Sequence, residues 1–94
     1  MKYKKIKIGG INYKIQFIEA DNINDDLGEV RFSKSTIRIN KDADKEQQLL
    51  AIIHELLHCV NNQISEKEVE FLSMAIYQII KDNKQILKEL FSDN

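Results

Sequence analysis

The sequence has few of the residues that usually constrain a small domain. It contains 94 residues, with one cysteine and no proline. The single cysteine, Cys59, excludes an intrachain disulfide, so a folded domain depends on its core or on a bound metal. We expect Cys59 to be a small buried residue rather than a reactive thiol. A chain of this length supports one compact core, and we predict a single domain over residues 1–94.

A dominant charge and a long apolar run are also missing. Fourteen basic residues stand against fifteen acidic ones, for a formal net charge of −1, which gives no electrostatic signal for a nucleic-acid or membrane partner. The basic run MKYKKIK is interpreted as a solvated strand edge. No apolar run could span a bilayer, and the N-terminus lacks the apolar core of a signal peptide. We therefore expect a cytoplasmic protein with no membrane and no nucleic-acid partner; its oligomeric state does not follow from the sequence.

From the N-terminus to Asn40 the sequence is typical of β-strands. The segments YKKIKI and INYKIQFI alternate at about period two and are joined by Gly9-Gly10, a pair suited to the positive φ angles of a tight hairpin. After Gly28, the segments EVRF and TIRIN predict two more short strands. We expect an antiparallel sheet of three or four strands, the last of them Thr36–Asn40.

Beyond Asp42 the apolar period changes to that of an α-helix. Asp44 with Gln47, and Ser65 with Glu68, predict helix starts with capping boxes. Two helices are expected, from about Lys45 to Asn61 and from Ser65 to Lys81. The tail KQILKELFSDN is expected to form a short third helix that packs on the core; the alternative is a partner-binding tail. Their core stripes are expected to contain Leu49, Leu50, Ile53, Leu56, Leu57 and Val60 in the first helix, and Val69, Leu72, Ile76, Ile79 and Ile80 in the second.

The two histidines of the chain, His54 and His58, both lie in the first predicted helix. Residues four apart lie one turn above each other, so both imidazoles can reach one ion. Glu55 is rotated about 100° from His54, at the edge of the same face. These residues match H-E-x-x-H, in which two neutral imidazoles bind Zn²⁺ and the glutamate takes a proton from water. We predict His54 and His58 as zinc ligands and Glu55 as the catalytic base.

A catalytic zinc usually has three protein ligands and leaves the fourth position for water. The start of the second helix offers Glu66, Glu68 and Glu70. Glu66 and Glu70 are one turn apart on one face, whereas Glu68 is expected to pair with Ser65 in the capping box. Glu70 lies one turn inside the helix and is held more rigidly than Glu66 at its end. We predict Glu70 as the third ligand, with Glu66 as the alternative.

The motif HELLH, followed by EVEFLSMAIYQIIKDN, resembles the small zincin-like proteins of phages and prophages that are related to the ImmA/IrrE metallopeptidase family. The third ligand in that family is a glutamate that opens the pattern E-A-x-x-F-A, which the segment from Glu70 to Ala75 matches loosely. The resemblance covers Leu49 to Asn83 and, more loosely, the strands from Gly28 to Asn40. In zincins of this kind a sheet edge along the cleft can bind an extended peptide as an added strand, and the resemblance makes Thr36–Asn40 the best candidate for that edge.

This resemblance implies a minimal zincin-like α+β domain with a gluzincin-like site, in which His54, His58 and Glu70 hold the zinc and Glu55 is the general base. We therefore expect a zinc-dependent metallopeptidase that hydrolyses a protein or peptide substrate. The alternative is a non-catalytic, zinc-stabilised protein-binding module of phage or prophage origin. The presence of Glu55, which is not a ligand, favours catalysis, because a structural site has no use for a general base. A metal-free interaction protein requires the motif to be accidental.

Overall fold

The structure is a computed structural model that describes residues 3–24 and 26–92. The first two residues of the predicted basic strand edge and residues 93 and 94 of the predicted tail lie outside this range. The described chain forms one four-stranded sheet and three α-helices, which confirms the α+β class. The elements are β1 (Tyr3–Ile8), β2 (Ile11–Ile18), β3 (Gly28–Arg31), β4 (Thr36–Asn40), α1 (Lys45–Val60), α2 (Glu66–Asp82) and α3 (Lys84–Leu90).

The hairpin between β1 and β2 forms where the sequence predicts it. Gly9 and Gly10 both have positive φ, at 55° and 86°, as the favoured two-residue hairpin turn requires. The predicted helix starts are also present. Asp44 accepts a hydrogen bond from the Gln47 backbone N–H at 2.8 Å, and α2 begins with a complete capping box. Local sequence signals therefore set the ends of these elements.

The strand order β1-β2-β4-β3 differs from the predicted antiparallel sheet. The outer pairs are antiparallel, but β2 and β4 run parallel, with Lys14 opposite Thr36. The prediction fails at this pair because β3 is not inserted between β2 and β4 but lies outside β4. The prediction that Thr36–Asn40 is an edge is therefore wrong. β3 is the edge strand at that side of the sheet.

The core lies between one face of the sheet and α1. Ile37 and Ile39 of β4 are 0% exposed, and they cluster with Tyr13, Ile15 and Ala51. Because side chains alternate along a strand, the neighbours of these residues face the other side of the sheet. The core thus has one layer of strand side chains and one helix above it.

The predicted helix stripes are confirmed in part. In α1, Ile53 is buried and Leu56 packs against the core as predicted, whereas Leu49 and Val60 are exposed. Ala51, which lies outside the predicted stripe, is buried because α1 contacts both the sheet and α2.

The second helix follows its prediction less closely. Val69 is buried as predicted, but Leu72, Ile79 and Ile80 are exposed. The predicted packing of the third helix on the core is not observed, because α3 has no buried residue.

Among the described residues, no helix combines the length and the apolar character needed to cross a membrane.

The core position of β4 gives a stability prediction. Ile37→Ala should lower the free energy of unfolding by about 3 kcal/mol, because it leaves a cavity at a fully buried site. Ile86→Ala on the exposed side of α3 is the matched control and should change it by less than about 0.5 kcal/mol. Urea denaturation followed by circular dichroism measures both, and equal effects would contradict the assignment of the core.

Candidate metal centre

α1 carries both histidines on the side that faces the start of α2. Their ring centroids lie 5.1 Å apart, as expected for residues one helical turn apart. Glu66, the first residue of α2, places its carboxylate between them. Its Oε1 lies 2.6 Å from His58 Nε2, and its Oε2 lies 3.2 Å from His54 Nε2. Two imidazoles and one carboxylate therefore meet at one point.

The connection from α1 to α2 places Glu66 at this point. Asn61 ends α1, and its side-chain oxygen accepts a hydrogen bond from the Gln63 N–H at 3.0 Å. Ser65 then caps α2: its Oγ accepts a hydrogen bond from the Glu68 backbone N–H, and the Glu68 carboxylate accepts one from the Ser65 backbone N–H. This tight turn and the capping box begin the second helix directly beside His58. Glu66 thereby reaches the histidines although its side chain is 69% exposed.

These three residues fit a divalent metal ion. One ligand atom from each of His54, His58 and Glu66 lies within 4.8 Å of the others. Ligand atoms on one tetrahedral zinc ion are roughly 3.3 Å apart, given bond lengths near 2.0–2.1 Å. Two imidazole nitrogens and one carboxylate oxygen are a common donor set for zinc, with a fourth position left for water. Small side-chain adjustments would complete such a site.

Glu70, the predicted third ligand, lies in the same cleft but outside this group of converging atoms. It is one helical turn beyond Glu66, a rise of about 6 Å along α2. The sequence favours Glu70 because a residue one turn inside a helix is held more rigidly than a residue at its end. The short connection between α1 and α2 nevertheless places the first turn of α2, not the second, beside the histidines. The assignment of Glu70 stays a prediction, and the geometry favours the alternative, Glu66.

Glu55 occupies the buried side of the motif. It is 8% exposed and lines the cleft with His54 and His58. Burial raises the pKa of the Glu55 carboxyl above its ordinary value; the two histidines oppose this shift, and Glu66 and Glu29 add to it. A carboxylate held in this environment binds a proton more readily than one in water. This is the electrostatic character expected of a general base.

The cleft has a volume of about 830 Å³ and lies between β3, α1 and α2. Gly28 allows β3 to approach α1 closely, since a Cβ at this position would lie 3.2 Å from Ile39 Cδ1 and 3.4 Å from Ala51 Cβ. The cleft wall also contains Ser73, which is buried and whose hydroxyl has no hydrogen-bond partner. No pattern in the sequence marks Ser73 as a functional residue. The turn-rich segment before Gly28 does not indicate that β3 lines a cleft either.

No family model matches this chain. No curated protein and no solved structure matches it either. The resemblance to the ImmA/IrrE family therefore depends on the sequence motif alone.

The metal site can be tested by metal analysis. Untagged protein, purified without chelator, should carry about one zinc ion per chain, and His54→Ala or His58→Ala should abolish binding because each removes one of three ligands. Emission spectroscopy measures zinc content, with Glu46→Ala, an exposed glutamate outside the cleft, as the control. Equal and negligible zinc in the wild type and in all variants would refute the site.

The third ligand is a separate prediction, because the sequence pattern and the geometry give opposite orders. Of the two glutamates, Glu66 is the one whose carboxylate contacts the histidines. Glu66→Ala should therefore weaken zinc binding by roughly tenfold or more, and Glu70→Ala by much less. A competition titration with a zinc chelator ranks the two variants. A larger loss in Glu70→Ala would restore the sequence-based assignment, and no loss in either would place the third ligand outside α2.

Proposed function

We propose that this protein is a zinc-dependent metallopeptidase of the minimal zincin type. The observation that carries the proposal is the meeting of His54, His58 and Glu66 at one point of a cleft whose wall contains the buried Glu55. A structural metal site needs ligands only. The additional buried carboxylate directly after the first histidine is the group that a hydrolytic site requires.

The residues have distinct roles in this proposal. His54, His58 and Glu66 would hold the ion. When bound, zinc supplies Lewis acidity, which polarises a carbonyl and lowers the pKa of water. Glu55 accepts the proton of the attacking water and then returns it to the departing amine nitrogen.

A peptide is the substrate class that fits the cleft wall. Within residues 3–24 and 26–92, β3 lies at the edge of the sheet and pairs with β4 alone, so its other side offers unpaired backbone N–H and C=O groups in that range. Gly28, Glu29 and Val30 of this strand line the cleft. An extended peptide can hydrogen-bond to such an edge as an added strand, which would lay its backbone beside the histidines. The edge is β3 and not the strand that the sequence suggested.

The second candidate function is a zinc-stabilised protein-binding module that does not cut its partner. The observation in its favour is the exposed apolar surface of α2 and the segment after it, where Phe71, Met74, Leu90 and Phe91 are more than half exposed. Large exposed apolar patches mark interaction surfaces. A non-catalytic module would keep the metal site and the apolar surface but would not need the carboxylate of Glu55.

Glu55→Gln separates the two functions. The amide keeps the size of the side chain but cannot accept a proton, so zinc content and thermal stability should change little. Hydrolysis should fall by a factor of roughly 10² or more, the usual scale for the loss of a general base. The measurement is mass spectrometry of cleavage products from an unbiased peptide library incubated with each protein.

Two results would contradict the peptidase. Products that appear equally with wild type and Glu55→Gln would indicate a contaminant or another mechanism. Zinc-loaded protein that yields no products, while the wild type and the variant recover the same specific partner, would favour the binding module. His54→Ala serves as the control without the metal site, and its products should be absent as well.

A further inference from the structure

The two faces of the sheet differ sharply in chemistry. Cross-strand partners lie on the same face, so the register of the strands shows which residues share each side. Ile6 is opposite Tyr13, and Ile15 is opposite Ile37, on the face that packs against α1. The alternate residues of the same strands therefore lie on the face that points away from α1.

This second face is strongly basic. Lys5 is directly opposite Lys14, Lys14 is opposite Thr36, and Thr36 is opposite Arg31 on its other side. Like charges directly opposite each other destabilise a sheet, so the Lys5–Lys14 pair has an intrinsic cost that a bound anion would relieve. We call this surface the basic face; its cationic residues are Lys5, Lys7, Lys14, Arg31, Lys34 and Arg38.

Only part of this charge is neutralised within the protein. Glu29 accepts hydrogen bonds from Arg31 at 3.0 Å and from Arg38 at 2.8 Å, so one carboxylate is shared by two guanidinium groups. Across the part of the chain that the structure describes, the ion pairs do not include Lys14 or Lys34. The basic face thus retains a surplus of positive charge, although the whole chain has a net charge of −1.

The centre of the basic face is a hollow of about 470 Å³. None of the residues that line this hollow also lines the cleft beside His54 and His58. The Thr36 hydroxyl donates a hydrogen bond to the Lys34 carbonyl oxygen at 2.9 Å, which fixes the turn that carries Lys34 beside β4. The hollow is lined only by cationic and uncharged polar residues, namely Lys14, Gln16, Arg31, Lys34, Thr36 and Arg38.

From this arrangement we propose that the basic face binds the phosphodiester backbone of nucleic acid, independently of base sequence. Strand spacing of about 4.8 Å and a repeat of about 7 Å between same-face residues spread the cations into a two-dimensional array. Such an array suits a polymer with regularly spaced phosphates better than a single small anion. Lysine side chains contact phosphates as mobile point charges, which fits backbone binding without base readout.

The composition of the hollow favours nucleic acid over other polyanionic partners. Protein–protein interfaces are depleted of charge at their centre and enriched in aromatic residues there, whereas this centre is charged and has no apolar side chain. A peripheral membrane surface usually adds apolar groups that insert below the lipid headgroups, and the hollow offers none. Interfaces with nucleic acid are polar and strongly positive, which is the character observed here.

The test uses untagged full-length protein and a fluorescently labelled DNA duplex of about 20 base pairs and mixed sequence. Fluorescence anisotropy at about 50 mM salt and above measures affinity and its salt dependence. Wild type should bind, and Lys14→Gln combined with Lys34→Gln should weaken binding about tenfold. The slope of log affinity against log salt should become shallower by about two, since two phosphate contacts are lost. A second duplex of unrelated sequence should bind equally well.

The matched control is Lys84→Gln combined with Lys88→Gln. It makes the same change in net charge on α3, where both lysines are exposed, and should leave the affinity and the slope unchanged. Equal losses in the two double variants, or no binding by wild type at low salt, would overturn the proposal. Vesicles of phosphatidylcholine with about 30% phosphatidylserine form a parallel arm. Binding to vesicles that depends on Lys14 and Lys34, without binding to DNA, would assign the basic face to a membrane surface instead.

Discussion

The candidate site depends on the packing of α1 between the sheet and α2. Ala51 on one side of the helix contacts the core isoleucines of β4, which fixes the rotation of α1 about its own axis. Once that rotation is set, His54 and His58 face the start of α2 and Glu55 faces the cleft. Gly28 fits closely into this arrangement, because a Cβ at its position would lie 3.2 Å from Ile39 Cδ1 and 3.3 Å from the Arg38 carbonyl oxygen. The geometry of the candidate metal site thus follows from core packing at Ala51, which lines the same cleft as the two histidines.

Sequence signals that act within one element were sufficient for much of this structure. The Gly9-Gly10 turn, the Asp44 cap, the Ser65–Glu68 capping box and the pairing of histidines on α1 all depend on residues a few positions apart. These local patterns did not predict the structure where it depends on the pairing of segments that are distant in sequence. The parallel pairing of β2 with β4 joins distant segments, with Lys14 opposite Thr36, and no local pattern predicts it.

The third ligand shows the same limit at the site itself. Helix periodicity put Glu66 and Glu70 on one face and could not rank them, because their distance from the histidines depends on how α2 leaves α1. The bonded turn at Asn61 brings the first residue of α2 to His58. The positive charge of the basic face is likewise not evident from the composition. A net charge of −1 averages over the chain, whereas the strand register collects lysines and arginines on one face, as with Lys5 opposite Lys14.

The position of Glu66 links metal binding to the stability of α2. This helix buries Val69 and Ser73 but exposes many of its apolar residues, so its contact with α1 is narrow for a helix of 17 residues. A ligand set with two members on α1 and one at the start of α2 would join the helices by coordinate bonds. Binding free energy at such a site is also folding free energy. In a chain with no disulfide, the ion would therefore fix the angle between the helices that forms the cleft, and hence the position of Glu55 relative to a peptide on β3.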